Sequence, residues 1–181
     1  MNCWKSINLS REYGYHRIVL ISTLMAFITF IMLYLPFSMI FSSVNLKENG
    51  IHYFILGIFI LSPIHKLLHG LPLWLTGRKV GIKVCKIGGI PTIHLTYRES
   101  IPRPLFIMAV TFPALIITST MVIASFSFPA YMHYFVMMAS IHIGFCVTDF
   151  IYLIQSMRAP KKCFVKDFDG GYDILIDNGL M

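Results

Sequence analysis

Followed from end to end, the chain alternates between long stretches without charge and short basic ones. Residues 18–46 contain no Asp, Glu, Lys or Arg, residues 49–77 contain only Lys66, and residues 104–157 contain only Asp149. A helix crossing the hydrocarbon layer of a bilayer needs about 20 apolar residues. The first two stretches therefore predict spans at about 18–44 and 51–75. The third is long enough for two and divides best at Ser127-Phe128-Pro129, because proline lacks an amide donor and restricts the residue before it. That places the last two spans at about 104–126 and 131–157. The first apolar run is far longer than the roughly 7–15-residue core of a signal peptide and has no A-x-A cleavage site, so it reads as a retained helix.

The pattern changes period between spans two and three. Val80, Ile82 and Val84 alternate with smaller or polar residues, and after Gly88-Gly89 the alternation resumes at Ile93, Leu95 and Tyr97. Period two on both sides of a glycine pair predicts a β-hairpin over about 78–98. The tail, 158–181, contains a second strand–turn–strand pattern in FVKDFDGGYDILI. The expected architecture is a single all-α integral membrane domain over 1–181, with four transmembrane helices and a cytoplasmic β-hairpin between helices 2 and 3.

Composition agrees with this. Of the 181 residues 56% are hydrophobic and 13% charged, and the three apolar stretches hold only two of the 23 charges. A soluble fold, a disordered chain, a disulfide scaffold and a nucleic-acid-binding domain are all excluded by that distribution. The net charge of +7 is explained by topology. Lys5, Arg11 and Arg17 precede span one; Arg78, Lys79, Lys83, Lys86, Arg98 and Arg103 lie between spans two and three; Arg158, Lys161, Lys162 and Lys166 follow span four. Only Lys47 falls on the other side, so both termini are expected in the cytoplasm of a multi-pass cell-membrane protein, with the bilayer itself as a partner. Cys3, Cys85, Cys146 and Cys163 form no C-x-x-C pair and suggest no redox or metal motif.

Ionisable side chains inside a bilayer are costly and mark function by default. Span two holds His65-Lys66-Leu67-Leu68-His69, and span four holds His142 and Asp149. Residues four apart share a helix face, so His65 and His69 point the same way, the spacing that sets two nitrogens on one tetrahedral metal. His69 precedes Arg78 by nine residues and Asp149 precedes Arg158 by nine, which puts both at about 14 Å from the cytoplasmic boundary. Asp149 is thereby a candidate third ligand, and His142, two turns before it, a further ligand or a supporting partner. Two metal-free arrangements compete: hydrogen bonding between helices, or an ion pair of Lys66 with Asp149 flanked by the imidazoles.

The order of these pieces resembles a family. His65-Lys66-Leu67-Leu68-His69-Gly70-Leu71, the Gly-rich hairpin, Arg103-Pro104 with Pro113, and Asp149 in CVTDFIYL are similar to the DUF3267 family of putative zincin peptidases, over about residues 50–175. The resemblance implies the fold of a site-2-protease-like membrane metallopeptidase, with His65 and His69 as zinc ligands and Asp149 as the third. Such enzymes carry H-E-x-x-H, whose glutamate takes a proton from zinc-bound water. Lys66 occupies that position here, while Glu48 and Glu99 are too remote to replace it. Three functions follow as expectations. The first is a degenerate pseudo-peptidase that binds membrane-protein clients. The second is an active zinc peptidase cutting near the cytoplasmic face. The third is a small helical subunit or transport component built around a Lys66–Asp149 pair.

Overall fold

A computed structural model describes residues 2–87, 90–97, 99–168 and 171–176. Strand β1 (Asn2–Ile7) leads through the short helix α1 (Leu9–Glu12) into α2 (Tyr15–Ile40) and α3 (Ile51–Leu75). Strands β2 (Val80–Ile87), β3 (Ile90–Tyr97) and β4 (Ile101–Pro102) precede α4 (Arg103–Ser127). Then come α5 (Met132–Phe145), α6 (Val147–Arg158), β5 (Cys163–Phe168) and β6 (Gly171–Ile176). Helices α2, α3 and α4 are long and apolar enough to cross a membrane, and α5 with α6 makes a fourth candidate if the broken pair is one span.

Two features correct the expected all-α fold. The chain is mostly helical but also carries a four-stranded antiparallel sheet in the order β1-β6-β5-β4. The last apolar stretch, expected as one helix over 131–157, is interrupted at Cys146, where α5 ends and α6 begins. The pattern of strands β2 and β3 is as expected, paired from Val80 opposite Tyr97 to Ile87 opposite Ile90. Their turn, Gly88-Gly89, lies outside the described residues, as does the Asp169-Gly170 turn between β5 and β6.

The chain forms two compact units. One comprises residues 1–15, 65–113 and 148–181. Its sheet is aligned by a cross-strand row in which Ile101 faces Val165 and Val165 faces Ile174, all nearly inaccessible to solvent. Ile101 and Val165 cluster with Leu73 from α3 and with Phe106, Ala109 and Val110 from α4. Helix α3 stops where its sequence provides a left-handed residue. Gly77 has φ +74°, its amide bonds the carbonyl of Trp74 at 3.0 Å, and the Arg78 amide bonds that of Leu73 at 3.0 Å. This is a Schellman ending, which satisfies carbonyls that the helix leaves open.

The other unit comprises residues 16–64 and 114–147. Phe37, Met132 and Val136 form its buried cluster, with Phe30, Leu33, Tyr34, Phe41 and Val122 packed around them. Gly144 permits a close helix approach, since a Cβ there would lie 2.9 Å from the backbone oxygen of Ser22. The outer face of α2 exposes Leu20, Phe27, Met32, Leu35 and Met39. Apolar surface running the length of a helix suits lipid, where the backbone is satisfied within the helix.

Candidate metal centre

Three segments of the first unit build the centre. Helix α3 supplies His65 and His69 from the face that also buries Leu73, seven residues on from Lys66. Helix α4 supplies a backbone carbonyl, that of Ala109, and α6 supplies Asp149 from its first turn. A carboxylate at that end of a helix faces the partial positive charge of open amides.

The far end of α6 is anchored. The Arg103 guanidinium donates from Nε to the carbonyl of Ser156 at 2.8 Å and from an Nη to that of Met157 at 2.8 Å. Lys5 of β1 donates to Gln155 Oε1 at 3.1 Å. These contacts fix the helix that carries the carboxylate.

The ligand atoms converge. His65 Nε2 lies 3.1 Å from Asp149 Oδ2, His69 Nε2 lies 3.4 Å from Asp149 Oδ1, and the two Nε2 atoms are 3.2 Å apart. The side chains are only 9, 15 and 13% exposed for His65, His69 and Asp149. Tetrahedral zinc with bonds of about 2.0–2.1 Å spaces its ligand atoms by about 3.3–3.4 Å. The two contacts to Asp149 are made by different oxygens of its carboxylate, and one ligand atom from each of the three residues lies within 4.8 Å of the other two.

Proton accounting points the same way. His69 Nδ1 is 2.8 Å from the carbonyl oxygen of Ala109, which can only accept, so Nδ1 carries the proton. The Nε2 of a neutral His69 then presents a lone pair toward His65 and toward a carboxylate that also only accepts. Asp149 Oδ2, though close to His65 Nε2, is buried without a well-aligned hydrogen bond. Together the three side chains offer a set of ligand atoms able to hold a metal ion. A histidine whose outer nitrogen is tied to a carbonyl is the usual support for a metal ligand.

Lys66 sits half-buried on α3 and makes no ion pair or hydrogen bond among the described residues. The Lys66–Asp149 pair considered from sequence is therefore absent, because the carboxylate is taken up by the two imidazoles. Glu99 pairs with Arg78 at 3.3 Å, and Glu48 opens a 3₁₀ turn before α3. His142 belongs to the second unit, fully buried, with its Nδ1 3.3 Å from Thr118 Oγ1 and its Nε2 3.7 Å from Cys146 Sγ.

Sequence reasoning missed the Ala109 carbonyl and the Arg103 clamp. A backbone acceptor has no residue-type signal, whereas an arginine opening a helix was visible without its target.

The class that emerges is a protein with apolar, span-length helices and a His-His-Asp cluster buried among them. More than half of the chain, residues 58–164, matches the family DUF3267, described as putative zincin peptidase, and the chain belongs to that family. No curated protein and no solved structure matches it.

Proposed function

We propose that this is a multi-pass protein of the cell membrane that holds zinc through His65, His69 and Asp149 and acts as a pseudo-peptidase. In this reading both termini and the β2–β3 hairpin lie on the cytoplasmic side, as the basic residues around them favour. The protein binds membrane-protein clients and hydrolyses them little or not at all.

The observation that carries the reading is the buried His65–His69–Asp149 set, whose three ligand atoms lie within 4.8 Å of one another, beside a lysine in the position of the general base. Bound zinc supplies Lewis acidity, polarising a carbonyl placed next to it. Ala109 holds the His69 tautomer and Arg103 holds α6, so the ligands are oriented in advance. Lys66, as an ammonium, has three donors and no acceptor, so it can orient a client's carbonyl but cannot take a proton from water.

The intact ligand set also favours a second reading, an active zinc peptidase in which Lys66 works after giving up its proton. Zinc content of the purified wild type, His65→Ala and Asp149→Asn tests the centre. About one zinc per chain, lost in both variants, is expected. Wild-type protein without zinc after metal-replete growth removes the ligand assignment. Wild-type cleavage of a membrane substrate that depends on His65 removes the pseudo-peptidase.

A further inference from the structure

Lys66 has an environment that the proposed zinc centre does not use. It stands one residue after His65 and three before His69, so its Cβ flanks the ligand face rather than opposing it. Ile64 and Leu67 are 43% and 38% exposed; along its own face Ser62 and Phe59, before it, are exposed and Leu73, two turns on, is fully buried. Lys66 itself is half-buried, on the border between these exposed and buried positions and three residues before His69. By rise along α3 it lies about 14 Å from the helix end at Leu75.

Charge makes the site incomplete. Two neutral imidazoles, one carboxylate, a divalent ion and an ammonium sum to an excess of about two positive charges in an apolar span. Among the described residues no second acidic side chain pairs with Lys66. An anion with two acceptor atoms, one for the metal side and one for the ammonium, would offset that excess. At that depth it must arrive on an apolar body.

We infer that Lys66, beside the His65–His69–Asp149 centre, forms a recognition site for a carboxylate that terminates an apolar chain. The C-terminus of a hydrophobic peptide and a fatty acid share that chemistry. The substitution of lysine for a general base then changes what the site does, from activating water to holding an acid end. This inference rests on the zinc reading.

The test uses the full chain in detergent, loaded with cobalt(II) as a visible reporter of the centre. Cobalt content is measured first; failure to load defeats the zinc reading and, with it, this inference. The loaded protein is then titrated with an apolar peptide bearing a free C-terminus, its C-terminal amide, a medium-chain fatty acid and the matching alcohol. One acid is expected to perturb the cobalt spectrum at concentrations at least about tenfold lower than its neutral counterpart. Whether the peptide or the fatty acid does so identifies the source. Lys66→Met is expected to load cobalt normally and lose the preference, while Lys66→Arg keeps most of it. Equal response to acid and neutral forms, or a preference unchanged in Lys66→Met, overturns the inference while leaving the metal centre standing.

Discussion

Among the described residues His65, His69 and His142 are buried or nearly so, and their partners within each unit differ in what they can donate. In the second unit, His142 Nδ1 faces the hydroxyl of Thr118, and its ring lies against the thiol of Cys146. Hydroxyl and thiol each bring a proton that an imidazole nitrogen can accept. In the first unit, His65 and His69 face each other and a carboxylate, and the outer nitrogen of His69 has already spent its proton on Ala109. His142 has neighbours that bring protons of their own. His65 and His69 are gathered around a carboxylate that can only accept, a set of ligand atoms able to hold a metal ion. Histidine content alone does not separate them; the chemistry of the neighbours does.

The sharpest way to break this contrast is to disable each cluster in turn. His65→Ala is expected to lower zinc by about tenfold or more per chain, whereas His142→Asn leaves it near the wild-type value, both read by metal analysis of purified protein. Loss of zinc in both variants would mean that the clusters act together. Next in size is Lys66→Glu, which restores H-E-x-x-H. General-base catalysis contributes about 10²–10⁴-fold, so cleavage of a membrane client is expected to appear where the wild type shows none. Equal, absent activity in both proteins would show that more than the base has been lost.

Smaller effects test the supports. Arg103→Ala removes two charge-assisted hydrogen bonds from the end of α6 and is expected to cost about 2–3 kcal/mol in unfolding measurements. Its zinc stoichiometry should persist with weakened affinity. Thr118→Val removes one neutral hydrogen bond from the second cluster, with an expected cost of about 1 kcal/mol and no change in zinc affinity. A zinc defect in Thr118→Val would mean that His142 and its partners support the metal site.

Much of the frame was readable in the pattern of residues. Apolar runs mark helices because a span must be uniformly apolar, and the alternation around Gly88-Gly89 marks strands β2 and β3 because side chains alternate across a strand. The i, i+4 spacing of His65 and His69 and the matching depth of Asp149 anticipate that these three side chains meet. Strand β1 was invisible for a physical reason: of Asn2–Ile7 only Ile7 is buried, so the strand has no two-residue apolar rhythm. It is held instead by its pairing with β6. The break at Cys146 likewise lacks a proline, and its apolar flanks continue the surrounding pattern. That break places a mid-stretch aspartate, Asp149, in a helix's first turn.

The proposed zinc centre is defined by the atoms that hold the metal. X-ray absorption at the zinc edge of the purified full chain reads them directly. The expected spectrum has nitrogen and oxygen neighbours at about 2.0–2.1 Å, with imidazole scattering from two histidines and no sulfur. A sulfur neighbour at about 2.3 Å, or a shell with a single imidazole, would contradict the assignment of His65, His69 and Asp149.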